Sequence, residues 1–124
     1  AKFFAEIFLD HPYIDIQKEI GESSWFGFAL ILKENSPLTR IELVNVLTAN
    51  QIDCRPIVTG NFLKNVEVLE HFDYEVSGII EVSEYIDKNG FFVGNQQLDI
   101  TENIQYLFDV INDAFHKKTK LIDR

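Results

Sequence analysis

The sequence predicts one two-layer α+β domain in which a small, mainly antiparallel sheet carries helices on one face. Three observations lead to this prediction. Two long segments have apolar residues at helical spacing, and three shorter segments are rich in β-branched and aromatic residues. The two kinds of segment alternate along 124 residues, a length that suits a single core. Helices with one apolar stripe need a surface to cover it, and one face of a sheet provides that surface.

Four segments are predicted to be helical from their apolar periodicity. They are residues 2–9, a helix that begins after Thr39 and ends near Asn50, residues 83–89, and a last helix with the apolar stripe Ile100, Ile104, Leu107, Phe108, Ile111 and Phe115. Thr39 and Glu42 have the spacing of a capping box, in which each side chain satisfies a backbone donor of the other residue. The last helix has Asp99 or Thr101 available as its N-cap.

Strands are predicted for residues 25–32, 53–58 and 91–93. The first of these has almost no polar residue, which is typical of a strand at the centre of a sheet or buried on both faces. Pro56 lacks an amide donor, so it places the second strand at an edge or at a strand end. Residues 13–20 alternate only in part, and residues 59–78 follow neither period. An irregular segment of that length is often functional.

Composition excludes several classes of function. A net charge of −9 and an isoelectric point of about 4.7 provide no basic surface for a nucleic acid. The longest apolar run, residues 25–32, is too short for a membrane span. A single cysteine, Cys54, excludes an internal disulfide and suits a reducing compartment such as the cytoplasm. The histidines His11, His71 and His116 lack the spacing of metal ligands, so we expect no metal site.

Polar residues that follow two of the predicted strands are the candidate binding residues. Arg55, held beside Pro56, could bind a carboxylate or phosphate through both arms of its guanidinium, or it could form an edge salt bridge. Asn61 and Asn95 each follow a glycine, where the backbone can approach a ligand closely. Ordinary turn chemistry explains Gly-Asn pairs equally well. The residues alone leave these alternatives open.

Five short motifs occur in a fixed order along the chain. They are Ser24-Trp25-Phe26-Gly27-Phe28, Asp53 with Arg55-Pro56-Ile57-Val58, Gly60-Asn61-Phe62, Phe72-Asp73-Tyr74 and Gly90-Phe91-Phe92-Val93-Gly94-Asn95. Together they resemble the C-terminal domain of the sugar aminotransferase/dehydratase family, which are pyridoxal-phosphate (PLP) enzymes of the aspartate-aminotransferase fold. The resemblance is greatest to nucleotide-sugar 4-keto-6-deoxyhexose 3-dehydratases of lipopolysaccharide biosynthesis. It extends from about Trp25 to the last helix.

This resemblance implies a longer parent enzyme whose N-terminal domain holds PLP or its amino form, PMP. The domain of residues 1–124 would close over that active site. Arg55 would bind a carboxylate of the amino donor or an anionic part of the nucleotide-sugar substrate, and the loops at Asn61 and Asn95 would line the pocket. Gln96 stands where the resemblance leads us to expect a histidine, and glutamine can hydrogen-bond a substrate but cannot shuttle a proton.

The resemblance also implies that the catalytic lysine or histidine at the cofactor lies upstream of residue 1. We therefore expect no catalytic residue in this segment, no cofactor bound to it alone and no activity when it is isolated. The same domain of a sugar aminotransferase is the first alternative, and a stand-alone α+β ligand-binding module or a pure interaction domain are others. The chain contains no methionine, including at position 1, which favours a fragment of a longer enzyme. The resemblance implies that this enzyme is a homodimer. We expect such a fragment to self-associate through exposed aromatic residues among Phe3, Phe4, Phe62 and Phe72.

Overall fold

One antiparallel sheet of four strands forms the centre of the computed structural model, which describes residues 1–122. The strands are β1 (Ile14–Ile16), β2 (Gly27–Leu32), β3 (Cys54–Pro56) and β4 (Gly90–Gly94), and they lie in the order β1-β2-β4-β3. The helices are α1 (Lys2–Phe8), α2 (Arg40–Ala49), α3 (Val66–Leu69), α4 (Glu81–Asn89) and α5 (Thr101–Ile122), with a 3₁₀ helix at Phe62–Lys64. The predicted fold class, a small antiparallel sheet with helices, is confirmed.

The predicted strands are found, with shifted ends and one addition. β2 is an inner strand and β3 an edge strand, as the apolar run and Pro56 indicated. β2 begins at Gly27 rather than at Trp25, because Trp25 has a φ of 35° and lies outside extended backbone. β3 ends at Pro56, two residues before the predicted end. The sequence prediction missed β1, whose three residues are too few to give a clear alternation.

The core lies between one face of the sheet and helices α1, α2 and α5. Alternate residues of β2 and β4 point into it, among them Phe28, Leu30 and Val93. The helices contribute Phe4, Phe8, Leu43, Leu47, Ile104, Leu107, Ile111, Ala114 and Phe115. The helix layer therefore covers a single face of the sheet, and the other face carries a different set of residues.

The predicted capping box at the start of α2 is formed, and it also connects two helices. The Thr39 hydroxyl accepts from the backbone amide of Glu42, and the Glu42 carboxylate accepts from the Thr39 amide at 2.8 Å. Lys118 of α5 donates to the same carboxylate at 2.8 Å. These bonds lower the pKa of Glu42 to about 2, and the bond from Lys118 contributes most to this shift. One glutamate thus both caps α2 and ties it to α5.

Two of the four aromatic residues expected to be exposed are buried or half-buried instead. Phe4 is fully buried and Phe3 is half-buried, because α1 turns this side of its helix onto the sheet. The Phe4 ring packs 4.6 Å from Phe28 and 4.7 Å from Phe8, measured between ring centroids. The expectation for Phe4 was wrong. Phe62 and Phe72 are exposed, by 49% and 65%.

His11 is a buried histidine at the end of α1, 4% exposed within a cluster of aromatic rings. Its Nδ1 accepts from the backbone amide of Tyr13 at 3.2 Å, so the neutral ring carries its hydrogen on Nε2, which faces Asn112 Oδ1 at 3.3 Å. Lys33 donates to the His11 carbonyl and also pairs with Asp15. Burial, together with the Lys33 charge, lowers the pKa of His11, although Asn112 opposes this shift.

We expect the free energy of unfolding to fall as the pH drops below the ordinary histidine value of about 6.5. Because the folded pKa is lowered, the unfolded chain binds a proton there that the folded chain resists. His11→Phe should flatten this slope between about pH 7 and 5. Urea unfolding across that range tests the expectation, with the exposed His116→Gln as control. Equal slopes in the wild type and His11→Phe would show that His11 is not responsible.

Phe4→Ala should lower the free energy of unfolding by about 3–5 kcal/mol, because it leaves a cavity between Phe8 and Phe28. Phe72→Ala removes the same atoms from an exposed position and should change it by about 0.5 kcal/mol or less. Denaturant unfolding of both variants gives the comparison. Similar losses at the two positions would contradict the burial described for Phe4.

Candidate functional site

The face of the sheet away from the core carries a row of three residues from three neighbouring strands. Phe92 of β4 lies opposite Ala29 of β2 on one side and opposite Arg55 of β3 on the other. Directly opposite residues in antiparallel strands point to the same face, whereas the neighbouring row of Phe28, Val93 and Cys54 points to the core. We call the face with Ala29, Phe92 and Arg55 the second sheet face.

The Phe92 ring packs over Gly27 on the second sheet face because Gly27 has no side chain. A Cβ at Gly27 would stand 2.7 Å from the Phe92 ring and 2.9 Å from the Val93 carbonyl oxygen. The exposed ring of Phe26 lies 5.8 Å from the Phe92 ring, between centroids. Phe92 is therefore 9% exposed although no helix of the core covers it. The two rings provide an aromatic surface beside the Arg55 side chain.

A cleft of about 460 Å³ lies over Phe92 between two loops. One wall is the loop between β1 and β2, with Ser23, Ser24 and Phe26, and the other wall is residues 57–60, after β3. Glu19 holds the first wall, since its carboxylate accepts from the Trp25 indole and from the Ser23 hydroxyl. The cleft thus combines an aromatic floor with hydroxyl groups at its rim, a mixture common in small-molecule sites.

Arg55 and Asn95 both line a second, smaller cavity of about 240 Å³, together with Phe26 and Phe92. The Arg55 side chain is 70% exposed, and its Nε lies 3.7 Å from the Asp53 carboxylate. An exposed pair at this distance contributes little to stability and leaves most of the guanidinium donors free for a ligand. The structure therefore brings together two of the four residues predicted to bind the substrate.

The side chains of both predicted asparagines already take part in turns. Asn95 donates to the Trp25 carbonyl at 2.8 Å and accepts from the Gln96 amide at 2.8 Å. Asn61 is 5% exposed, and its oxygen accepts from the Leu63 amide at the start of the 3₁₀ helix. Gln96 is exposed and follows Asn95 without lining either cavity. The four substrate-binding assignments stay predictions, with Arg55 and Asn95 the better placed.

The donors on the second sheet face suit an anion and hydroxyl groups. Arg55 provides a planar guanidinium, which matches carboxylate and phosphate. Within the described residues, no lysine lines the two cavities, so nothing there could form an imine with an aldehyde cofactor. Cys54 points away from this face, and burial, followed by the Asp53 charge, raises the pKa of its thiol to about 11. A thiol with that pKa is a poor nucleophile.

Two further classes of site have no counterpart in residues 1–122. No group of three or more histidine, cysteine, aspartate or glutamate side chains there is arranged to hold a metal ion. No helix in the same range is both long enough and apolar enough to cross a membrane.

No family model matches the chain, but individual curated proteins do. It is 63% identical to a GDP-4-keto-6-deoxy-D-mannose 3-dehydratase of Yersinia pseudotuberculosis over 111 residues, which are 90% of this chain and 28% of the relative. It is 53% identical to the enzyme of the same name from Escherichia coli O55:H7, over 90% of this chain and 29% of the relative. The chain thus spans less than a third of the length of these relatives.

Solved structures agree with these matches. The E. coli enzyme with bound hydrated PLP superimposes with a TM-score of 0.85 at 53% identity, over 89% of this chain and 28% of that one. A sugar aminotransferase from Streptococcus pneumoniae has a TM-score of 0.69 at 14% identity, over 99% of this chain and 31% of that one, which shows a shared fold. The resemblance to the sugar aminotransferase/dehydratase family, predicted from the five motifs, is confirmed.

We expect Gly27→Ala to lower the free energy of unfolding by about 1–3 kcal/mol, because the new methyl group displaces the Phe92 ring. Gly94 pairs directly with Gly27, and a Cβ there meets no atom within 4 Å. Gly94→Ala is therefore the matched control, with no loss or a gain of up to about 1 kcal/mol. Urea unfolding of both variants measures the two changes in the free energy of unfolding. Equal effects would mean that Phe92 does not depend on the space above Gly27.

Proposed function

We propose that residues 1–124 form the C-terminal domain of a PLP- or PMP-dependent nucleotide-sugar 3-dehydratase of lipopolysaccharide or deoxysugar biosynthesis. The observation that supports this most is the 63% identity to the Yersinia 3-dehydratase over 90% of the chain. We infer a GDP-4-keto-6-deoxyhexose as the substrate, since relatives at 63% and 53% identity are named for one. The domain would close over an active site whose cofactor is held by the rest of the parent enzyme.

In this proposal, the second sheet face is the surface turned toward the active site. Bound PLP supplies an electron sink for the reacting carbon. The residues of this chain bind and orient substrate groups there. Arg55 would pair with the carboxylate of an amino donor, and a 3-dehydratase related at 53% identity is described with a trapped PLP–glutamate adduct. The diphosphate of the nucleotide sugar is the other anion that Arg55 could bind.

The amide groups would add hydrogen bonds around that anion. Asn95 lines the same cavity as Arg55 and fixes the loop that carries Gln96. We propose that Gln96 hydrogen-bonds a sugar hydroxyl and that Asn61 shapes the neighbouring wall through its bond to Leu63. Closure of the domain would also remove water from the face, which strengthens each of these charged hydrogen bonds.

The alternatives are less well supported. The sugar aminotransferase matches at 14% identity, which concerns the fold, whereas both relatives above 50% are 3-dehydratases. A stand-alone ligand-binding module does not explain why the matched relatives are over three times longer than the chain. We further propose that the parent enzyme is a cytoplasmic homodimer and that the isolated segment is inactive. Self-association of that segment would use exposed residues of 58–82, including Phe62 and Phe72.

Arg55→Ala in the full-length parent should lower kcat/KM for the amino donor about 10- to 100-fold, the loss expected for a charge-assisted hydrogen bond. Arg55→Lys keeps the charge but not the fork, so it should restore only part of the activity. Steady-state kinetics with both substrates varied in turn gives the answer, and the cofactor absorbance confirms loading. Lys120→Ala, which removes an exposed cation on α5 in the helix layer, is the control. Unchanged kcat/KM values for both the donor and the nucleotide sugar in Arg55→Ala would contradict the assignment.

A further inference from the structure

We propose that Asp87 of α4 is a positioning residue for the substrate, because it anchors the wall of residues 57–60 that borders the cleft on the second sheet face. The inference rests on the proposed function for its consequence in catalysis. Its structural part rests on contacts of Asp87 with this wall and the segment that follows it, and the wall lies 27 residues or more earlier in the chain. The wall itself belongs to neither a regular helix nor a strand, so it needs an external anchor to hold one position.

Gly60 shows how closely Asp87 and the wall fit. Its φ of 53° is in the left-handed region, which favours glycine. A Cβ at this position would also overlap the Asp87 carboxylate, whose Cγ lies 3.0 Å from the ideal Cβ position. The backbone of the wall therefore packs directly on the Asp87 side chain, with no room for another group between them.

The segment that continues from the wall also contacts the Asp87 carboxylate. The ammonium group of Lys64, at the end of the 3₁₀ helix, forms an ion pair with it. Lys64, and to a smaller extent the nearby Asn61 backbone amide, lower the pKa of Asp87, so the carboxylate is charged at neutral pH. The ion pair fastens the segment that follows Gly60 to α4.

The backbone of α4 at this point is itself held in place by Arg40 of α2. The Arg40 guanidinium donates to the Asp87 carbonyl at 2.6 Å and to the Gly90 carbonyl at 3.2 Å. These carbonyls belong to the C-terminal end of the helix and its junction with β4, where the last helical carbonyls have no partner within the helix. The backbone position of Asp87 is thus fixed by α2, and the position of the wall depends on the Asp87 side chain.

If the wall is already ordered in the free enzyme, substrate binding does not have to order it, and the entropy cost of binding is smaller. Loss of Asp87 should therefore raise KM more than it lowers kcat. Asp87→Ala removes both acceptor oxygens. Asp87→Asn keeps the shape of the side chain that packs on Gly60 while it removes the charge that Lys64 pairs with. Asp113→Ala on α5 is the matched control, because it also removes an aspartate paired with a lysine, Lys117, at a distance from the wall.

The test uses the full-length enzyme, with steady-state kinetics and hydrogen exchange measured by mass spectrometry on peptides that cover residues 57–64. For Asp87→Ala we expect about a tenfold rise in KM for the nucleotide sugar, a kcat within about twofold of the wild type, and exchange about tenfold faster in these peptides. Asp87→Asn should recover part of both changes, because it keeps the packing against Gly60 but loses the ion pair with Lys64, and Asp113→Ala should alter neither.

Unchanged exchange at residues 57–64 in Asp87→Ala would overturn the anchoring role, and unchanged KM with faster exchange would overturn its consequence for binding. An Asp87→Asn variant as impaired as Asp87→Ala in both measurements would overturn the role of the packing between Asp87 and Gly60. A wild-type enzyme that binds no nucleotide sugar would refute the proposed function instead. The exchange comparison would still decide whether Asp87 anchors the wall.

Discussion

The pairing of β4 with β2 on one side and β3 on the other is the constraint on which the rest of the structure depends. Side chains alternate along strands, so this register decides which residues enter the core and which reach the second sheet face. A shift of β3 by one residue would turn Arg55 into the core and Cys54 outward. The helix layer adds to this constraint, because it covers one face and leaves Arg55 and Phe92 on the other.

Close packing between a glycine and a neighbouring side chain recurs on both sides of the cleft. Gly27 leaves room for the Phe92 ring that forms the floor, and Gly60 leaves room for the Asp87 carboxylate behind one wall. In each case the side chain that fills the space comes from an element distant in sequence. The floor is thereby tied to β4, which contributes to the core, and the wall is tied to α4, which Arg40 of α2 holds through two backbone carbonyls.

Local signals predicted much of this fold before any contact was known. The capping box at Thr39 and the apolar stripe of α5 act within a few residues, so the sequence shows them directly. β1 and the burial of Phe4 depend on where the chain packs, and short apolar segments do not reveal this.

The candidate site was harder to predict than the fold. Arg55 and Asn95 were identified from strand ends and glycine neighbours, and the structure places them in one cavity. Phe92 and Asp87 were missed, because their roles depend on the register of β4 and on a contact between α4 and the loop after β3. The glycines at 27 and 60 were the available signals, yet a glycine in sequence does not say which side chain needs its space.

The claim that the second sheet face is the functional face is tested most directly by a crystal structure of the full-length parent enzyme with its nucleotide sugar and amino donor bound. We predict that Phe92 and Arg55 face the bound molecules and that the Arg55 guanidinium lies within hydrogen-bond distance of a carboxylate or phosphate oxygen. A structure in which this face is open to solvent, or in which the ligands contact only the helix layer, would contradict the account.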